Sequence, residues 1–135
     1  MTLQLQKPVL DAGIVTRDIE SASRFYADVL GLPLAGEIAM PGIGRIRRYA
    51  VGESMLRLFQ PEQLPAAEGS RAGFASQTGI RYLTLAIANL DEVLAAVRDA
   101  GYPVPVPPRE LRPGVRVAQV EDGEGNTLEL MQQSG

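Results

Sequence analysis

The feature that most constrains this chain is a pattern that occurs twice, about 71 positions apart. In the first copy Leu10, Ala12 and Ile14 alternate with Asp11, Gly13 and Val15, the period of a strand with one buried face. Thr16-Arg17-Asp18 breaks that alternation and offers Asp18 as a helix cap. Ile19, Ala22, Phe25, Tyr26, Val29 and Leu30 then recur at helical spacing, and Gly31 and Pro33 stop the helix. The second copy starts near Ile80. Leu83, Leu85 and Ile87 alternate with Tyr82, Thr84 and Ala86, and Asn89 stands at the cap position. Leu90, Val93, Leu94 and Val97 form the stripe that ends at Gly101. Each copy closes on a matching strand, Met55–Gln60 in one and Thr127–Gln132 in the other, 72 positions apart.

A strand–helix–strands unit used twice predicts an α+β fold of two modules. Gly44–Val51 and Gly114–Val120 have the alternating or β-branched character of the intervening strands, and Glu121–Asn126 reads as a hairpin turn. Module one spans about residues 8–60 and module two about 79–133, joined by a Pro- and Gly-punctuated linker or flap over 61–78. With 135 residues the two are expected to share one core in a single domain, residues 1–135. Pro103, Pro105, Pro107 and Pro108 allow an edge strand at best after the second helix. Met40–Gly44 reads as a mobile loop at the mouth of a cleft.

Composition removes whole classes of chemistry. There is no cysteine, hence no thiolate nucleophile or disulfide, and no histidine, hence no imidazole base or metal ligand. Thirteen basic residues against sixteen acidic ones give a net charge of −3, which predicts no nucleic-acid partner. No apolar run reaches the length of a membrane span, and MTLQLQKPVL lacks the flank and apolar stretch of a leader. The expectation is a cytoplasmic protein with no membrane partner.

The segments Gly13–Asp18, Ser23–Tyr26, Leu30-Gly31, Leu90-Asp91, Ala100-Gly101 and Asp122–Leu130 together resemble the vicinal oxygen chelate superfamily of glyoxalases, extradiol dioxygenases and bleomycin-resistance proteins. The resemblance covers nearly the whole chain. It implies two βαβββ modules curling into an open half-barrel around a cleft, and a homodimer. It also implies that metal-binding members take ligands at the start of each module's first strand and in the middle of each module's last strand. Those positions correspond here to Asp11, Arg57, Tyr82 and Glu129, of which only Glu129 carries an expected ligand type.

Strand parity reaches the same residues independently. If Leu10, Ala12 and Ile14 face the helices, Asp11 and Val15 face away. The same reasoning turns Met55, Arg57 and Phe59, then Tyr82 and Thr84, then Glu129 and Met131 toward the concave side. Apolar walls with a few polar groups are the usual make-up of a small-molecule cleft. Asp11, Arg57, Tyr82 and Glu129 are therefore the candidate catalytic residues, and Val15, Arg47, Met55, Phe59, Thr84 and Met131 the candidate ligand-binding ones. Tyr49 and Phe74 are further side chains within possible reach of the cleft. Arg57 would repel a cation where a metal ligand belongs, so no metal and no cofactor is expected. The predicted function is metal-independent acid–base chemistry of the isomerase, epimerase or lyase type on a small organic molecule. Glu129 and Asp11 would move protons while Arg57 and Tyr82 hold an oxyanion. The alternative is a non-catalytic protein that binds or sequesters a small molecule or antibiotic.

Overall fold

A computed structural model of the chain describes residues 2–134. Its elements run β1 (Ala12–Val15), α1 (Ile19–Ser23, continuing in a wider π-type winding over Arg24–Val29), β2 (Leu34–Met40), β3 (Gly44–Val51) and β4 (Ser54–Pro61). The second set is β5 (Tyr82–Ala86), α2 (Leu90–Asp99), β6 (Val106–Arg112), β7 (Val115–Glu121) and β8 (Thr127–Gln133). Each set makes a four-stranded sheet, ordered β1-β4-β3-β2 and β5-β8-β7-β6. Within each sheet the first strand runs parallel to the last and the other pairs are antiparallel. These are two βαβββ modules in an open α+β arrangement, as the repeat predicts. The proline-bearing β6 is an edge strand, where a missing N–H costs no ladder bond.

The helices cover one face of each sheet because that is where the apolar side chains point. Leu56 and Leu58 of β4 and Leu128 and Leu130 of β8 are buried against Ile19, Phe25 and Tyr26 on one side and Leu90, Leu94 and Val97 on the other, in one contiguous core. Phe25 meets Tyr26 edge-on at 5.0 Å and Tyr102 of the second module at 4.8 Å. The modules are also tied by polar bonds. Tyr26 donates its hydroxyl to Asp122 Oδ2 at 2.6 Å, Thr16 donates to Glu124 Oε1, and Arg71 donates to the Gly123 carbonyl at 2.6 Å.

Several local readings need correction. Leu10 precedes β1 and is exposed, because no helix lies over that end of the strand. Asn89 occupies the cap position of α2 but makes no cap bond, since its amide is turned to Glu92 Oε2 at 3.3 Å. The Leu90 N–H donates instead to Gln132 Oε1 of β8 at 2.8 Å, just as the Ile19 N–H donates to Gln60 Oε1 of β4 at 2.8 Å. Met40–Gly44 is a pinned hairpin turn, with the Gly42 N–H donating to Glu62 Oε2 at 2.7 Å. Gly31 and Gly101 take φ of 76° and 86° at equivalent helix ends, a conformation that a side chain would strain. No helix among the described residues is long and apolar enough to cross a membrane.

Candidate functional site

The face of each sheet turned away from the helices carries the candidate residues, and strand register orders them into rows. On the first sheet Gly13 of β1, Arg57 of β4, Arg48 of β3 and Gly36 of β2 stand opposite one another. The next row along is Val15, Phe59, Ile46 and Ile38. Directly paired residues point to the same side of a sheet, so the parity reading of Val15, Arg57 and Phe59 agrees with the register. Arg57 Nη1 donates to Asp11 Oδ2 at 3.1 Å, and the Met55 N–H donates to Asp11 Oδ1 at 2.7 Å. The Met55 N–H bond first, then Arg57, hold the Asp11 carboxyl below the usual carboxylate range.

On the second sheet the corresponding row is Thr84, Glu129, Gln119 and Val106. Thr84 donates its hydroxyl to Glu129 Oε1 at 3.2 Å. Met131 stands in the neighbouring row with Ala86 and Val117. Phe74, on the short helical turn Phe74–Ser76 between the modules, meets Tyr82 edge-on at 5.6 Å.

Between the two sheets β1 and β5 pair only with β4 and β8, so their remaining edges are free of strand partners among the described residues. A cavity of about 900 Å³ opens along these edges. Asp11, Val15 and Met55 line it from the first module, Tyr82 and Thr84 from the second, and Ser70, Gln77 and Thr78 from the connecting segment. Arg57, Phe59, Glu129 and Met131 lie on the concave faces outside that lining. The structure thus brings Asp11 to Arg57 and Thr84 to Glu129, and sets Asp11 and Tyr82 on one cavity. It does not bond the four candidate catalytic side chains into one cluster.

Arg47 is placed on the opposite side from that expected. Its guanidinium reaches Glu20 Oε1 and Ser23 Oγ of α1, both at 2.8 Å, and Glu37 Oε2 at 3.3 Å. It stands across β3–β4 from the buried Leu58, so its row faces the helix. Tyr49 shares that parity and is a core residue. The arginine that faces the cleft side is Arg48. The two-residue Gly52-Glu53 loop could have identified it, because pairing Val51 with Ser54 sets Arg48 opposite Arg57.

The described residues contain no group of three or more Asp, Glu, His or Cys side chains able to hold a metal ion. The donors at the four positions are two carboxylates, a phenol and a guanidinium, and one carboxylate is already engaged by the guanidinium. That set does not fit a divalent cation.

A family model, the glyoxalase/bleomycin resistance protein/dioxygenase superfamily, matches residues 9–130. The chain belongs to this superfamily. Solved structures carry the same fold. A glyoxalase family protein from Bacillus cereus aligns with a TM-score of 0.82 at 17% identity, covering 98% of this chain and 100% of that one. An antibiotic binding protein from Streptomyces aligns at 0.68 with 22% identity over 97% and 100% of the two chains. A fosfomycin resistance protein from Mesorhizobium loti aligns at 0.66 with 16% identity over 97% and 94%. No curated protein sequence matches the chain.

Proposed function

We propose that this superfamily member works without a metal and takes a small organic molecule against its concave face. The observation that carries this is the Asp11–Arg57 ion pair. The guanidinium stands at a position where the superfamily resemblance puts a metal ligand, and it occupies the carboxylate that would otherwise be free to bind an ion. The binding reading is put first because Asp11, one of the two proton-moving groups of the catalytic reading, is engaged by other groups. A carboxylate held below its usual range by an N–H and a guanidinium is a weak base. Likeness of fold to an antibiotic binding protein is in keeping with this reading.

A second reading keeps proton transfer of the isomerase, epimerase or lyase type, with Glu129 as the base and Tyr82 as a hydrogen-bond donor. What favours it is that Glu129 sits on the concave face with, among the described residues, only the Thr84 hydroxyl bonded to its carboxylate. The free edges of β1 and β5, with exposed Leu10 and Ile80 beside them, support a homodimer that covers these groups. Elemental analysis of the purified protein, with ligand-induced thermal shifts recorded before and after chelator treatment, tests the proposal. No stoichiometric metal and unchanged shifts are expected. A tightly held divalent ion whose removal abolishes binding overturns it. Glu129→Gln separates the two readings, because it abolishes turnover in the second and leaves binding intact in the first.

A further inference from the structure

We infer that the concave face of the first sheet is a site for an amphipathic anion. It would take an oxyanion head, carboxylate or phosphonate, on the Arg48–Arg57 pair and an apolar body on the row beside it. The inference rests on the metal-free reading of the same face and adds the chemical class of the ligand.

The charge argument comes first. Arg48 and Arg57 are directly opposite on β3 and β4, and like charges so placed repel. Asp11 answers one of them, at 3.1 Å from Arg57 Nη1. Arg48 has no acidic partner among the described residues, and its Nε is buried without an acceptor. A half-buried guanidinium without a counter-charge is costly, and an oxyanion arriving at the terminal nitrogens supplies one. The face therefore carries one unanswered positive charge.

Space is provided by the two glycines that end the row. A side chain at Gly36 would begin 2.7 Å from Arg48 Nη2, so only a glycine lets that guanidinium lie across β2. A side chain at Gly13 would meet nothing within 4 Å, so the surface beside Arg57 is open. Two residues along each strand, about 7 Å away, is the row of Val15, Phe59, Ile46 and Ile38. Val15 is 57% exposed and Ile38 43% exposed, so both ends of this row are open. The equivalent row on the second sheet has Glu129 and Gln119 in place of the arginines, so a pair of directly opposed arginines is particular to the first sheet.

The test is calorimetric titration of the full chain with 4-phenylbutyrate, octanoate and phenylphosphonate, with 4-phenylbutanamide as the uncharged control and inorganic phosphate as a head without a body. Saturable binding of at least one amphipathic anion is expected, with the amide and the phosphate each weaker by about tenfold or more. Arg48→Gln should weaken the anion by about tenfold and Arg48→Lys by less, because lysine restores charge without the planar fork. Thermal melts of both variants verify folding. Three outcomes overturn the inference: no saturable binding of any anion, amide binding equal to acid binding, or an Arg48→Gln affinity equal to that of the original chain. The last two leave a metal-free cleft standing, so they separate this inference from the functional reading beneath it. If Arg48→Gln instead dissociates a dimer without changing anion affinity, the arginines belong to contact with a second copy, and the anion site is again overturned.

Discussion

The two modules are alike on the side that touches the helices and unlike on the side that does not. Leu56 and Leu58 correspond to Leu128 and Leu130, Gln60 to Gln132 and Gly31 to Gly101, and all eight do the same structural work in their own module. An ion pair also ties each helix to its sheet, though from different positions on the strand. Arg47 reaches Glu20 in the first turn of α1, and Arg116 reaches Asp91 in the first turn of α2. On the concave side the correspondence fails. Arg57 faces Glu129 across the repeat, Arg48 faces Gln119, and Gly13 faces Thr84. A core tolerates little change in volume, so the packed side keeps its pattern. The open side makes no such demand, and its residues are free to be set by a ligand.

The largest test of this division is in the core. Leu58→Ala and Leu130→Ala each remove a side chain no more than 1% exposed, and each should cost about 2–5 kcal/mol in urea unfolding. Similar costs uphold the equivalence of the packed sides. A several-fold difference between the two would break it.

The helix caps should divide the modules more finely. In α1 the Asp18 side chain accepts from Glu20 and Ser21 while Gln60 accepts from Ile19. In α2 the Asn89 side chain makes no cap bond, and Gln132 is the side chain that takes the Leu90 N–H. Gln132→Ala should therefore cost about 1 kcal/mol, near a full cap, and Gln60→Ala less. Thermal melts of the two variants give the comparison directly.

The fold was legible because its determinants are local and periodic. Alternation marked β1, β5 and the closing strands, and helical spacing marked α1 and α2, so the repeat could be read from residue type alone. The site was legible only where an apolar face fixed parity, as it did for Arg57, Thr84 and Glu129. In Arg45-Ile46-Arg47-Arg48-Tyr49 polar groups occupy both parities, and no apolar alternation says which face is which. Burial of Tyr49 and the pull of Glu20 on Arg47 decide it, and both are tertiary facts. The Gln132 cap was hidden for the same reason, since its partner lies 42 positions away. Asp11 and Glu129 were read as one pair of acids, yet each bonds within its own module.

The joint between the modules should respond to pH. Desolvation, opposed by the Thr16 hydrogen bond and reinforced by the nearby Asp122 charge, raises the Glu124 carboxyl above its usual range. A raised acid binds its proton more tightly in the folded chain than in the unfolded one. The stability it contributes is complete below the ordinary glutamate range and is lost as pH rises through the folded value. Glu124→Gln should flatten that decline in stability above pH 4.5, where the free side chain is already half ionised. The Tyr26 hydroxyl does not ionise over this span, since burial pushes it well above the ordinary phenol range. An unchanged pH profile in the variant would remove Glu124 from the account.

The smallest effect belongs to the concave face of the first module. Asp11 is held down first by the Met55 N–H and second by Arg57. Arg57→Gln removes only the second, so the Asp11 carboxyl should rise in a carboxyl-carbon NMR titration yet stay below the usual aspartate range. The sign follows from the pair: losing a cation raises an acid, and the surviving N–H bond keeps part of the depression. A full return to the ordinary range would mean that the guanidinium, and not the backbone, sets the state of that carboxylate. A cation would then be required in the first module for Asp11 to stay ionised in acid, whereas Glu129 in the second module is bonded by the neutral Thr84 hydroxyl. The contrast between the two faces would become one of electrostatics alone. A partial return makes it one of backbone geometry as well, because the Met55 N–H reaches Asp11 from the end of β4 that Arg57 shares.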